Sequence, residues 1–407
     1  MIPQLDPPLT LATVELGPFF EARHEALATE LLADVPEARE ALGGHRTSYD
    51  PHAAARALGE SDAHTDGLGL FRFLVPEKHG GASVGRPDDD RYVDVRSLVL
   101  VRDALAQTSP MADSIFAVQG LGSWPVSAFG TAEQRARILP DVVRGTRVGA
   151  FGLTEPLAGS DVASLQTTAR RDGDGWVLDG EKWLISNIGI ADHVIVFATV
   201  DPTLGRKGIT AFLVDVDTPG LSTEPLEPAS PHPLGRVTLL GCRVGDDARI
   251  GEIGQGFTIA METLDAFRIS VGAAANGMAS RALALATARV KARRQFGAPL
   301  AEQQQVQAYL AEMATELDAA RLLVARAAWA RDTRTGRVTS EAAMAKMFAT
   351  EAAQRTIDRA VQLFGGSGVL TGTEVEALYR DIRPLRIYEG TTEIQKLVIA
   401  RGLLRDR

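Results

Sequence analysis

Apolar residues set two different rhythms along the chain. Val95, Leu98, Val101 and Leu105 fall at spacings of three, three and four, which puts them on one face of a helix over Val95–Gln107. Phe19–Leu32 is rich in alanine and leucine among interspersed charges and also predicts a helix, and Phe116–Phe129 is a further apolar stretch, interrupted by Gly120 and Gly122. Thr131 heads a predicted capped helix at Ala132–Ile138 with Glu133 in its first turn. Between these, Pro76 to Pro87, with Gly80-Gly81, reads as a loop.

Near Val148 the rhythm changes. Gly149–Leu153, Leu165–Arg170, Trp176–Leu178, His193–Val200 and Ile209–Val216 are short, β-branched or aromatic, and separated by turn residues. Asp172-Gly173-Asp174-Gly175 is a hairpin signal. From Phe257 the helical period returns. Small residues, among them Gly272, Ala274 and Gly277, allow close packing along Phe257–Val290, and Val306, Leu310, Met313, Leu317 and Val324 form one apolar face. Asp332–Arg337 is a turn, and Glu341–Phe364 runs to a stop at Gly365-Gly366. The expected fold is α+β: a helical domain over 1–147, an antiparallel β-domain over 148–255 and an antiparallel helical bundle over 256–407.

Composition narrows the class. A chain of 407 residues exceeds one ordinary core. Its net charge of −9, with both signs interspersed, argues against a nucleic-acid surface. A single cysteine, Cys242, precludes an intrachain disulfide and fits a reducing compartment. No leader pattern and no run long enough for a membrane span is apparent, so a cytoplasmic protein is expected. The seven histidines are scattered, His24-Glu25 lacks the second histidine of a zinc helix, and no metal site is expected.

Several stretches carry possible chemistry. In Tyr388-Glu389-Gly390-Thr391-Thr392-Glu393 a carboxylate precedes a glycine and hydroxyls that open a helix at Glu393–Leu404. Thr391 or Thr392 can cap it, and Thr392 with Gln395 has capping-box spacing. Glu389 at such a helix start is either a dipole partner or, once covered by an apolar ligand, a base strengthened by desolvation. Thr154-Glu155-Pro156-Leu157-Ala158-Gly159-Ser160-Asp161 offers hydroxyls and amides where a phosphate or ring edge can come close, or else a surface turn. Glu181–Asn187 is a strand with aromatic area and a hydroxyl, and Trp183 there can equally be a core residue. Arg293-Arg294-Gln295-Phe296-Gly297 ends a helix where cations meet the dipole or bind phosphate. Gln362-Leu363-Phe364-Gly365-Gly366 closes another helix.

Taken in order, these five stretches resemble the acyl-CoA dehydrogenase family from about Leu105 to Arg401, in which T-E-P-x-A-G-S-D, a W-I-[ST]-N strand, R-x-x-F-G, Q-x-x-G-G and [YF]-E-G-T follow one another at similar spacing. The resemblance implies FAD held by Phe151, Leu153, Thr154 and Ser160, with Ser186 near the flavin N5 edge. It implies that Arg293, Gln295, Phe296, Gln304, Gln362 and Gly366 reach the FAD of a neighbouring subunit in a homotetramer or dimer, and that Thr391 and Glu393 complete the site. Glu389 matches the catalytic base. Arg268, with Asp265 beside it, matches an arginine near the CoA portion, and Ser160, Tyr388 and Gly390 flank the substrate. The lack of G-x-G-x-x-G after a strand agrees, because the family does not use a Rossmann fold.

The implied reaction is α,β-dehydrogenation of an acyl-CoA, or of an acyl-carrier-protein thioester, with electrons passed to an electron-transfer flavoprotein. A flavin oxidase or monooxygenase of the same fold and a non-catalytic flavin- or thioester-binding protein are the alternatives. Trp183-Leu184-Ile185 departs from the family's x-Trp-Ile, so either Trp183 or Leu184 covers the flavin. Ala229–Arg236 replaces a polar turn of the family.

Overall fold

The computed structural model describes residues 5–44, 50–61, 66–84, 91 and 93–404. Of the predicted loop Pro76–Pro87, residues 85–87 lie outside this set; the rest includes a single helical turn at Glu77–His79. The chain divides into two compact units, one from the described parts of 1–49, 95–113 and 268–407, the other from those of 50–94 and 114–267. The sequence-based divisions at 147 and 255 both fall within the second unit.

The helices are α1 (Ala22–Glu37), α2 (Pro51–Leu58), α3 (Val95–Thr108), α4 (Pro110–Phe129), α5 (Ala132–Arg144), α6 (Gly256–Ala292), α7 (Gln304–Thr333), α8 (Thr339–Phe364), α9 (Glu374–Asp381) and α10 (Thr392–Leu403). Local chemistry sets several of their ends. Thr131 Oγ1 accepts from the Gln134 N–H at 3.2 Å while the Gln134 side chain accepts from the Thr131 N–H at 2.9 Å, a reciprocal cap that starts α5. Gly145, at φ +74°, ends it.

The two glycines of α4 do not interrupt it. A Cβ at Gly120 would meet the Phe267 ring at 2.3 Å, and one at Gly122 would meet the Gly149 backbone at 2.7 Å, so these glycines admit neighbours rather than break the helix. In the first unit a Cβ at Gly277 would fall 2.3 Å from the Asp103 carbonyl, which realises the close packing that the small residues of α6 suggest.

The second unit holds the sheet. Its strands are β1 (Gly149–Gly152), β2 (Thr168–Asp172), β3 (Gly175–Ser186), β4 (His193–Thr199), β5 (Ile209–Asp215), β6 (Leu221–Pro225), β7 (Leu234–Gly245) and β8 (Arg249–Ile250). The order is β6-β7-β3-β2-β4-β5-β8, with β1 beside β4. Pairing is mostly antiparallel, as expected of this domain, with β1 and the start of β2 running parallel to β4. Asp172 pairs with Gly175, so the predicted hairpin turn joins β2 to β3. Trp176, Leu178, Val196, Phe212, Val237 and Leu239 fill one core, each full burial contributing roughly 1.5–3 kcal/mol. A short two-stranded hairpin, β9 (Arg294–Gln295) with β10 (Ala298–Pro299), belongs to the first unit. Among the described residues no helix is long and apolar enough to cross a membrane.

Candidate active site

In the first unit, the chain arriving from a short helical turn at Arg383–Arg386 must reverse before α10 can start. Two consecutive left-handed residues do this: Glu389 at φ +51° and Gly390 at φ +92°. Such a conformation costs a non-glycine residue roughly 1–2 kcal/mol, and persists because the surroundings hold it. Arg268 Nε donates to the Glu389 carbonyl at 3.3 Å, and Lys346 Nζ to the Gly390 carbonyl at 2.8 Å. Gln395 Nε2 donates to both, at 3.2 and 3.0 Å. Thr391 is the N-cap, its Oγ1 accepting from the Ile394 N–H. The capping box expected of Thr392 and Gln395 does not form, because Gln395 is drawn back to the turn and Thr392 Oγ1 donates to Glu351 at 2.7 Å.

Glu389 is left with two unused groups. Its Oε2 is buried without a hydrogen-bond partner, and its backbone N–H pairs with no described residue. Burial raises its carboxyl above the usual range; the charges of Arg102, Arg268 and Lys346 oppose that rise and Asp113 adds to it. Arg102 and Asp113 make a bidentate pair, Nε to Oδ1 and Nη2 to Oδ2, each at 2.8 Å. Arg102 Nη1 also donates to Ser270 Oγ at 3.0 Å, and the guanidinium charge bears on the Tyr388 hydroxyl and the Glu389 carboxyl. Tyr388 is 36% exposed, yet its hydroxyl is desolvated and strongly resists ionisation. Lys346 is pushed down to about 8, chiefly by burial, with Glu389 pulling the other way. A carboxylate so placed can accept a proton from carbon in a dry site, with a hydrogen-bond donor on the same residue.

Sequence reasoning named Glu389, Arg268, Tyr388 and Gly390, which meet here, gave Gln395 a capping role only, and missed Arg102, Asp113 and Lys346. The signal for Arg102 was a charge in α3, a helix buried on every side. Lys346 similarly sits fully buried between alanine-rich turns of α8.

Other predicted residues of this unit lie in exposed positions. Arg293, Gln295 and Phe296 share the hairpin that follows α6, and Phe296 is 98% exposed at φ +52°. Gln304 begins α7, Gln362 lies in the last turn of α8, and Gly366 follows Gly365 at φ +61°. Glu393 is exposed in the first turn of α10, where the helix start and Thr391 hold its carboxyl below the usual range.

The second unit holds the remaining candidates. After β1, which ends beyond Phe151, the loop through Leu153, Thr154 and Ser160 is stitched to β3. Trp183 N–H donates to the Thr154 carbonyl at 2.9 Å, and Lys182 Nζ pairs with Glu155 Oε1 at 2.6 Å in full burial. Glu155 also accepts from the Thr167 N–H at 3.0 Å. Gly159 has nothing within 4 Å of a would-be Cβ, and Ser160 is exposed. Trp183 and Leu184 occupy a bulge of β3 against β7. The Trp183 ring is covered by the Arg236 guanidinium at 5.4 Å, whereas Leu184 is 52% exposed at φ +57°. Ser186 ends β3 half-buried, and Asn187, fully buried, donates to the Gly149 carbonyl at 3.0 Å. Asp265 is half-buried in α6.

The chain matches the family descriptions "Acyl-CoA dehydrogenase, N-terminal domain" over residues 31–146, "middle domain" over 150–240 and "C-terminal domain" over 254–404. It belongs to the acyl-CoA dehydrogenase family. As a member of that family it is an oxidoreductase. It is 40% identical to the short-chain specific acyl-CoA dehydrogenase of Homo sapiens mitochondria over 344 residues, 84% of this chain and 81% of the relative. The butyryl-CoA dehydrogenase structure from Megasphaera elsdenii superposes with a TM-score of 0.86 at 35% identity, covering 95% of this chain and 99% of that one. A chain in a structure of the electron transferring flavoprotein of Acidaminococcus fermentans aligns at a TM-score of 0.84 and 33% identity, covering 99% and 100%.

Proposed function

We propose that this acyl-CoA dehydrogenase homologue oxidises an acyl-CoA thioester to the trans-2-enoyl-CoA, with Glu389 as the base. The observation that carries the proposal is the pairing, on one pinned residue, of an unpartnered buried carboxylate oxygen and an unpaired backbone N–H. Glu389 removes the proton α to the thioester carbonyl. Its N–H donates to the carbonyl oxygen as negative charge develops there; one such donor is worth about 2.7–4 kcal/mol where comparable sites have been measured. Arg268, Lys346 and Gln395 keep the turn from relaxing as the proton moves. FAD held at this site would supply the two-electron oxidant that takes the hydride leaving the β-carbon.

The donor set in the second unit fits a flavin edge. Thr154, Ser160 and Ser186 supply accessible hydroxyls, Gly159 leaves open space for a ring to approach, and Phe151 and Leu153 add apolar surface. Leu184 rather than Trp183 offers its side chain to the ring, since Trp183 is engaged by Arg236. The open backbone at Gly297, Gly365 and Gly366 suits an adenine-pyrophosphate half, with Arg293, Gln295, Phe296, Gln304 and Gln362 contributed by a neighbouring copy and Thr391 and Glu393 nearer the base. Asp265 and Arg268 would meet the CoA portion. The family matches support domains at 1–147, 148–255 and 256–407. The short-chain and butyryl-CoA relatives support a short acyl group, and the flavoprotein-associated structure supports an electron-transfer flavoprotein as acceptor.

The test is the visible spectrum of the purified protein, followed by anaerobic titration with butyryl-, palmitoyl-, branched and cyclic acyl-CoAs. Bleaching of the flavin band by one class is expected. A yellow protein that no acyl-CoA bleaches overturns the CoA assignment and favours a carrier-protein thioester or oxygen chemistry.

A further inference from the structure

We propose that Lys346 is a positioning residue for the base: one ammonium group pins the Gly390 carbonyl and holds positive charge beside the Glu389 carboxylate during proton abstraction. The inference rests on the role of Glu389 proposed above, and concerns a residue that no motif singled out.

Lys346 projects from α8, is fully buried, and donates to the Gly390 carbonyl at 2.8 Å. If holding that carbonyl were its whole purpose, a charge would be superfluous, because Gln395 already donates to the same oxygen at 3.0 Å without one. Burying an ammonium is expensive, and its principal acidic neighbour is Glu389. The other charged groups facing the pair are Arg102 from α3, Asp113 from α4, Arg268 from α6, Glu351 from α8 itself and Glu393 from α10. Arg102 is engaged bidentately by Asp113, which spends much of its field on that partner. Lys346 has no comparable carboxylate of its own: Glu351 is engaged by Arg386 at 2.8 Å and by Thr392. Its charge is therefore left for Glu389, whose ionised form it favours against desolvation.

Three variants separate charge from geometry. Lys346→Gln keeps an amide donor and removes the charge, Lys346→Met removes both, and Lys346→Arg keeps the charge. Two readouts apply to each FAD-loaded protein. The first is the infrared band of the protonated Glu389 carboxyl, titrated with pH and assigned by its loss in Glu389→Gln. The second is the acid limb of flavin reduction by butyryl-CoA. In Gln and Met variants both midpoints should rise by about one pH unit, the scale of a nearby opposite charge removed. In the Arg variant they should stay near wild type. A Gln variant that titrates like wild type overturns the proposal, as does an Arg variant whose midpoint rises as far as the Met variant's. If no acyl-CoA reduces the flavin even in wild type, the proposed function fails while the infrared titration still decides the role of the lysine.

Discussion

Arg102 and Asp113 share a two-pronged ion pair that is 1% and 2% exposed. Its charges act on the ionisable groups of the turn at Tyr388 and Glu389. Removing one partner strands the other charge. Asp113→Ala should destabilise the chain by about 3–5 kcal/mol in urea denaturation, whereas the volume-matched double change Arg102→Met with Asp113→Leu should cost far less. Equal losses from the single and double variants would show that packing, not charge, dominates there.

Glu389→Gln should retain FAD and its yellow colour but lose flavin reduction by on the order of 10²–10⁴-fold in anaerobic stopped-flow. The same substitution should stabilise the fold at neutral pH. The native carboxyl is raised above the ordinary 4.5, so the folded protein holds a proton that the unfolded chain has released, and stability falls as pH rises through that window. Melting temperatures of variant and wild type should diverge from about pH 4.5 upward. Curves that stay parallel would mean that Glu389 is not desolvated.

His193 is buried between the Gly122 carbonyl, at 3.1 Å, and Arg147, and is pushed down to about 4, first by burial and then by the arginine. Its folded value lies below the unfolded 6.5, so the unfolded chain takes up the proton first on acidification. Stability should therefore drop by about 3 kcal/mol between pH 6.5 and 4, and His193→Gln should flatten that segment of the curve. Chemical denaturation across this range checks it.

Lys182 and Glu155 are the hinge pin between β3 and the loop at 154–160. Lys182→Met leaves the Glu155 carboxylate buried with backbone donors alone, and should cost about 3–5 kcal/mol. Amide hydrogen exchange should accelerate first at Thr154–Ser160. Uniform acceleration across the second unit would contradict a local role.

Much of this architecture was legible. Helical spacing located α3 and α7, the Gly365-Gly366 stop marked the end of α8, Thr131 marked the start of α5, and the Asp-Gly repeat marked the turn between β2 and β3. The strands β6, β7 and β8 were not recognised. β6 is largely exposed and polar, β8 has two residues, and β7 carries Gly235 and Gly241 and pairs with β3 through bulges that break alternation. At the site, the glycine and hydroxyls around Glu389 left it open between a dipole partner and a base, and only the ordered motifs of the family resemblance singled it out. Lys346, Arg102 and Asp113 could not be read, since a buried charge looks in sequence like any solvated one. Gln395 was seen, but assigned to a cap by spacing; only the two left-handed residues at 389 and 390 explain why its amide turns back.

The helix α8 reaches the turn at Glu389-Gly390 and the start of α10 at two heights, through Lys346 to Gly390 and through Glu351 to Thr392 and Arg386. It acts as a splint. On the proposed role of Glu389, the loss of conformational freedom that the base would otherwise suffer on meeting its reactant is taken up once, when the chain folds, and each later encounter starts from a carboxylate already aimed.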